Sequence, residues 1–213
     1  MTLRIIILDF DGVVIESNEV KADAFRHIFA RFPEHAKAMM AFHNEHVSLS
    51  RFAKFEHLLG LLGRADDESL KAEIAKDFSL MVAEKMMSVP LVPGAEDFLR
   101  KITPVLSVYL ASVTPAEELS LTLAQRGLAH WFRGIYGCPP WTKPSAIQDI
   151  LAREAVKPED VLLIGDSAGD QRAAQITGVR FLARDSGLSF DSPAPLAFAD
   201  MNEIAQHVEK LLS

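Results

Sequence analysis

The sequence predicts an α/β fold: a parallel sheet with helices on both faces, and an all-helical segment inserted after its first strand. Three observations carry this. Short apolar runs at Leu3–Leu8 (LRIIIL), Val105–Ala111 (VLSVYLA) and Val161–Ile164 (VLLI) end abruptly in polar or acidic residues, as buried parallel strands do. From about residue 90 onward, helical and strand patterns alternate, which is the signature of a parallel sheet with crossover helices. Residues 16 to 88 show helical spacing throughout, with no strand candidate among them.

The elements follow in order. After the first strand, Glu19–Phe32, Glu34–His46, Ser50–Leu62 and Asp67–Met87 have apolar residues at helical spacing. Ser48 or Ser50 caps the third of these, and Asp66 or Asp67 the fourth, because a short side-chain oxygen satisfies an orphan amide of the first turn. Pro90 and Pro93-Gly94 mark the return to the sheet. Ala95–Ile102 is a helix before the second strand, and Pro115–Arg126 a helix that stops at Gly127. Gly134–Tyr136 and Val179–Leu182 are shorter strands, Ser145–Glu154 is a helix after Pro144, and Gly169–Ile176 is a helix stopping near Gly178. The expected organisation is a core of residues 1–15 and 90–213 with a helical insert of residues 16–89.

The 213-residue chain is 49% hydrophobic and 24% charged, an ordinary globular balance that excludes wholesale disorder. A net charge of -7 offers no basic footprint for nucleic acid or an anionic membrane. The apolar start MTLRIIIL is cut off by Asp9 and Asp11 and reads as neither a signal peptide nor a membrane span. One cysteine, Cys138, excludes an internal disulfide and a Cys-rich metal site. The expectation is a soluble cytoplasmic protein, monomer or homodimer, acting on a small molecule.

Chemistry-bearing residues collect where the apolar runs end. Those ends are Asp9-Phe10-Asp11-Gly12, Ser112-Val113-Thr114 and Gly165-Asp166-Ser167, with Lys143 opening a helix. Ligands of open parallel sheets bind at the carboxyl ends of strands. Asp9 and Asp11, two apart on extended chain, point to one face. Two such carboxylates need a cation, and Mg²⁺ suits hard oxygen ligands. Asp166 and Asp170 add carboxylates, Lys143 a fixed positive charge, and Ser112 a hydroxyl. That inventory fits a phosphoryl group, whose transfer depends on positioning and charge stabilisation.

Taken together, DFDGV (Asp9–Val13), Ser112 in LASVTP, Lys143 in TKP and GDSAGD (Gly165–Asp170) resemble the motifs of the haloacid dehalogenase-like hydrolase superfamily, along nearly the whole chain. The insert after the first motif is similar to that family's C1-type helical cap. The subgroup most resembled is the phosphoglycolate phosphatase-like and β-phosphoglucomutase-like enzymes. The resemblance implies a Rossmann-like core, a cap that closes over the strand ends, and Mg²⁺ as cofactor. It implies Asp9 as nucleophile, Asp11 as general acid and then base, Ser112 as a phosphoryl hydrogen-bond donor, and Lys143 as charge neutraliser. The implied phosphate-binding set is Asp9, Phe10, Asp11, Ser112, Val113 and Lys143. The implied metal set is Asp9, Asp11 through its backbone carbonyl, and Asp166, with Asp170 in or just behind it and Ser167 in support.

Asp11 itself favours phosphate chemistry, because the dehalogenase branch is expected to lack the second aspartate. In the insert, Arg51 and Lys54 share a helix face at i, i+3. They read as a binding pair for a second anionic group or as a solvated basic edge, and the stretch resembles the R-x-x-K-F of sugar-phosphatase-like relatives. Lys21, after the first motif, is a further candidate contact to substrate. His43 and His46 read as surface or half-buried histidines rather than metal ligands. Phe25, Phe29, Phe32, Phe42, Phe52, Phe55 and Phe78 read as the core of the insert. The leading expectation is an Mg²⁺-dependent phosphatase. A β-phosphoglucomutase-like phosphotransferase is the near alternative, and a non-catalytic phospho-aspartate regulator a distant one.

Overall fold

The computed structural model describes residues 2–212, arranged as two compact units: the chain up to Glu16 together with Val89 onward, and Ser17–Ser88. In the first unit, six parallel strands form one sheet in the order β3-β2-β1-β4-β5-β6. They are β1 (Ile5–Leu8), β2 (Ser107–Ala111), β3 (Gly134–Tyr136), β4 (Val161–Gly165), β5 (Arg180–Arg184) and β6 (Ala197–Phe198). β1 lies in the middle, pairing Ile5–Leu8 with Ser107–Leu110 on one side and with Val161–Ile164 on the other. All four of its residues are buried. This explains the unbroken apolar run: both faces of a central parallel strand are covered, so alternation is lost. Each such side chain contributes about 1.5–3 kcal/mol by leaving water.

The chain winds from β1 outward to β2 and β3, then crosses back to β4 and continues to β5 and β6. The direction reverses beside β1, and that places a crevice at the carboxyl ends of β1, β2 and β4. Of the flanking helices, α7 (Lys143–Glu154) and α8 (Ala168–Thr177) pack on the face that carries Ile5, Ile7, Tyr109 and Leu163. Tyr109 and Tyr136 extend that core to a polar rim, where their hydroxyls donate to Glu154 and Asp149 of α7, each at 2.6 Å. α5 (Ala95–Ile102) and α6 (Ala116–Gln125) bury Phe98, Leu99, Leu119 and Leu123.

β6 and the final helix, α9 (Met201–Leu212), extend the predicted core. β6 has two residues, too few to register as a pattern. α9 buries Met201, Ile204 and Val208 and packs on α5. It follows a loop from Asp185 to Leu196 that separates it from the alternating region.

The second unit is all helix: α1 (Asn18–Ala30), α2 (Pro33–Glu45), α3 (Arg51–Leu61) and α4 (Glu68–Met86). Ser50 caps α3 by accepting from Ala53 N at 3.3 Å, and Asp67 caps α4 by accepting from Leu70 N at 2.9 Å. Phe25, Phe29, Phe55 and Phe78 are buried, with Phe25 centred 4.6 Å from Phe78 and 5.6 Å from Phe29. Phe32, Phe42 and Phe52 are only half-buried, contrary to the expected core. Phe42 instead stacks on His57, 3.9 Å between ring centres. Among the described residues, no helix is long and apolar enough to cross a membrane.

Candidate active site

The site grows from the turn after β1. Gly12 takes a left-handed φ of 71°, which costs glycine nothing. Its amide donates to Ile15 O at 2.8 Å, and Val14 N donates to Phe10 O at 2.9 Å. Phe10 is fully buried and pins the turn to the core. Asp9 and Asp11 are therefore carried on a short rigid loop, and each carboxylate meets its own set of partners. Asp9 Oδ1 accepts from Phe10 N at 2.7 Å, and Asp9 Oδ2 lies 3.0 Å from Lys143 Nζ. Asp11 Oδ2 accepts from Thr114 Oγ1 at 2.9 Å and from Ser112 Oγ at 3.3 Å, both beyond the end of β2.

Lys143 is the first residue of α7, whose capping box joins Thr142 to Ser145. From there its ammonium reaches both Asp9 and Asp170, and its side chain is 8% exposed. Asp170 is fully buried, and its Oδ2 accepts from Ser167 Oγ at 2.6 Å. Ser167 and Asp170 form the capping box of α8. Gly165 is required beside them, because a Cβ there would overlap the Asp170 side chain. Carboxylate oxygens of Asp9, Asp166 and Asp170 lie within 4.8 Å of one another.

Of four buried carboxylates, Asp9, Asp11, Asp166 and Asp170, the Lys143 ammonium pairs with Asp9 and Asp170. Burial pushes the Asp9 carboxyl well above the usual carboxylate range; Lys143 pulls it back, while Asp170, Asp166 and Asp11 push it further up. Burial alone would lower the Lys143 pKa, but Asp170 and Asp9 outweigh it and raise it. The cluster has spare negative charge, and its donors are hard oxygens, the set a divalent magnesium ion prefers.

An arginine from the far side of the sheet locks the same loop. Arg184, at the end of β5, is 8% exposed. It donates to Glu16 Oε1 at 2.6 Å, Glu16 Oε2 at 3.1 Å, Gly12 O at 3.3 Å and Ala199 O at 3.2 Å.

The structure brings Asp9, Phe10, Asp11, Ser112, Lys143, Asp166, Ser167 and Asp170 together at the strand ends. Phe10 contributes its amide to Asp9. Val113 lies between Ser112 and Thr114, half-buried. Ser112 does not cap α6: the cap position there is Pro115, without a side-chain bond. Thr114 and Arg184 carry no role expected from the sequence, and Glu16, expected beside Lys21 as a candidate contact to substrate, is paired with Arg184. For Thr114 the only signal is its place two residues after Ser112.

In the helical unit, Arg51 and Lys54 do not form a solvated edge; they are 6% and 1% exposed. Lys54 Nζ lies 3.0 Å from His43 Nδ1, 3.1 Å from Val47 O and 4.7 Å from the centre of the Phe25 ring. The Arg51 guanidinium bonds Ser79 Oγ at 2.8 Å and lies 4.6 Å from the centre of the Phe78 ring. Burial, with Lys21 adding to it, lowers the Lys54 pKa to about 7. Burial, then Lys54 and Arg26, lowers that of His43 to about 4. His43 faces Lys54, while His46 tilts against Phe42 at 4.5 Å.

Comparison with known proteins agrees with this architecture. A phosphoglycolate phosphatase of Pseudomonas putida is 25% identical over 197 residues, covering 89% of this chain and 72% of its own length. A predicted phosphatase from Clostridium acetobutylicum superimposes with a TM-score of 0.78 at 17% identity, covering 99% of this chain and all of that one. A β-phosphoglucomutase from Clostridium difficile also gives a TM-score of 0.78, at 14% identity, over 99% of this chain and 97% of that one. The sequence model of the haloacid dehalogenase-like hydrolases matches residues 6–184, a span that runs from β1 to the arginine closing the loop, and the chain belongs to that family of enzymes.

Proposed function

We propose that the protein is a magnesium-dependent phosphatase that hydrolyses a small phosphorylated metabolite, of the phosphoglycolate or sugar-phosphate kind, through an aspartyl-phosphate on Asp9. The observation that carries the reading is the division of labour between the two aspartates. Asp9 faces the ammonium and the acidic cluster, as suits a nucleophile for phosphorus. Asp11 faces hydroxyl donors at the end of β2, as suits a proton carrier.

The Asp9 carboxylate attacks phosphorus and forms an O–P bond as the ester P–O bond breaks. Asp11 gives its proton to the departing oxygen. Water then attacks the same phosphorus and Asp11 takes a proton from it, while the Asp9–phosphorus bond breaks and restores the carboxylate. Ser112 donates to a phosphoryl oxygen, and Lys143 stabilises charge on Asp9 and on the transferring group. Asp9, the Asp11 carbonyl and Asp166 would hold Mg²⁺, with Asp170 behind them tying Lys143 and Ser167. The ion supplies positive charge for the phosphoryl oxygens and for the crowded carboxylates.

In the helical unit, Arg51, Lys54 and Lys21 are assigned to substrate selection, through a second anionic group of the metabolite. The likeness to β-phosphoglucomutase is one of fold, so water rather than a sugar hydroxyl is taken as the acceptor. The test is phosphate release from a panel of phosphorylated metabolites, with and without Mg²⁺, wild type beside Asp9→Asn. Release that depends on Mg²⁺ and drops by about a thousandfold or more in the variant is expected. Normal release by Asp9→Asn would sink the proposal.

A further inference from the structure

We infer that Thr114 is a positioning residue for Asp11: its hydroxyl holds Asp11 Oδ2 in place when the hydroxyl of Ser112 turns to the transferring phosphoryl group. The inference rests on the phosphatase reading and adds a residue to it.

A serine hydroxyl has one proton to give. Ser112 gives it to Asp11 Oδ2 across a long 3.3 Å, while its own oxygen accepts from Thr114 N at 3.1 Å. A charged phosphoryl oxygen is a strong acceptor and draws that proton away when substrate binds. Thr114 keeps its shorter bond of 2.9 Å to the same Asp11 oxygen. With Oδ2 held as an acceptor, the proton of a neutral Asp11 carboxyl is assigned to Oδ1, and the carboxyl keeps one orientation toward the leaving group.

Thr114 is itself anchored. Its carbonyl accepts from Cys138 N at 2.9 Å, and it is only 5% exposed, which leaves little room for water to replace its hydroxyl. Gly137, before Cys138, lets the chain after β3 lie close: a Cβ at that position would come 2.8 Å from Thr114 O. The β3 loop therefore fixes Thr114, and Thr114 fixes Asp11.

Mispositioning of a general acid is felt most when the leaving group is basic, since a weakly basic phenolate departs with little proton transfer. Phenyl phosphate and p-nitrophenyl phosphate differ in that respect while sharing a shape. kcat/KM for the two esters, measured with wild type, Thr114→Val, Thr114→Ser and Asp11→Asn, tests the assignment. Thr114→Val is expected to lower kcat/KM for phenyl phosphate about tenfold or more, and for p-nitrophenyl phosphate less than about threefold, through kcat with KM held. Thr114→Ser restores the hydroxyl and is expected to follow wild type on both. An equal loss on both esters, or serine as impaired as valine, overturns the inference and leaves the phosphatase reading intact. Failure of wild type to release phosphate, or Asp11→Asn keeping full rate on phenyl phosphate, overturns both together.

Discussion

Each unit of the protein buries a lysine, and the two lysines are held in opposite ways. Lys143, at the strand ends, lies against Asp9 and Asp170. Lys54, among the helices, lies against an imidazole, a carbonyl and a phenyl ring, all neutral. Carboxylates raise the first pKa, and burial lowers the second to about 7. A buried ammonium with a surplus of anions is a fixed charge, suited to a reacting phosphoryl group. A buried ammonium without one is held at a cost in desolvation, which a ligand anion would offset. The difference separates a built-in electrostatic device from a poised one.

The sharpest way to break that comparison is one substitution made in both places. Lys143→Met leaves the acidic cluster without its cation. It is expected to cost about 3–5 kcal/mol of stability, partly recovered on adding Mg²⁺, and on the order of a hundredfold to a thousandfold in kcat. Lys54→Met removes an ammonium that has only neutral partners among the described residues. It is expected to be neutral or to stabilise the apo protein by up to about 3 kcal/mol. Denaturant unfolding of both variants measures the two signs, and equal losses would erase the distinction.

The pH dependence of stability sharpens it further. Lys54 titrates near 7 in the folded chain against an ordinary 10.5, so between those values the unfolded chain holds the extra proton and stability rises with pH. His43 titrates near 4 against an ordinary 6.5, so its contribution is lost as pH falls through that window. Taken in full, the shifts correspond to about 5 kcal/mol for Lys54 and about 3 kcal/mol for His43. His43→Gln keeps a polar partner for Lys54 without titrating there. The gap between its unfolding curve and that of wild type is expected to change between pH 6.5 and 4, the window set by His43. A constant gap would mean that water reaches the imidazole. The smallest effect belongs to local structure: Ser50→Ala removes the α3 cap and is expected to cost about 1 kcal/mol, read by the same unfolding experiment.

The legible parts of the molecule were those with short-range causes. The Ile run of β1 announces a strand covered on both faces, and the acidic residues at its end announce a ligand edge. The helix caps at Ser50 and Asp67 follow from local side-chain chemistry. The illegible parts depend on residues that meet only after folding. Thr114 stands before a proline and reads as a turn residue; its tie to Asp11 spans 103 positions. His43 becomes a partner of Lys54 only because α2 and α3 pack together. The burial of Lys54 itself contradicts what its type suggests, since lysine is almost never fully interior. β6 is legible only through its pairing with β5.

Arg184 gives the loop of Asp9 and Asp11 a dependence on chain order. The loop from Asp9 to Glu16 is made before β5, and the side chain that clamps Glu16 and Gly12 lies 168 residues beyond Glu16. A nascent chain stopped before β5 would carry both aspartates without the clamp that fixes their loop. The fixing of the loop that carries Asp9 and Asp11 therefore depends on a strand made far later in the chain than the aspartates themselves.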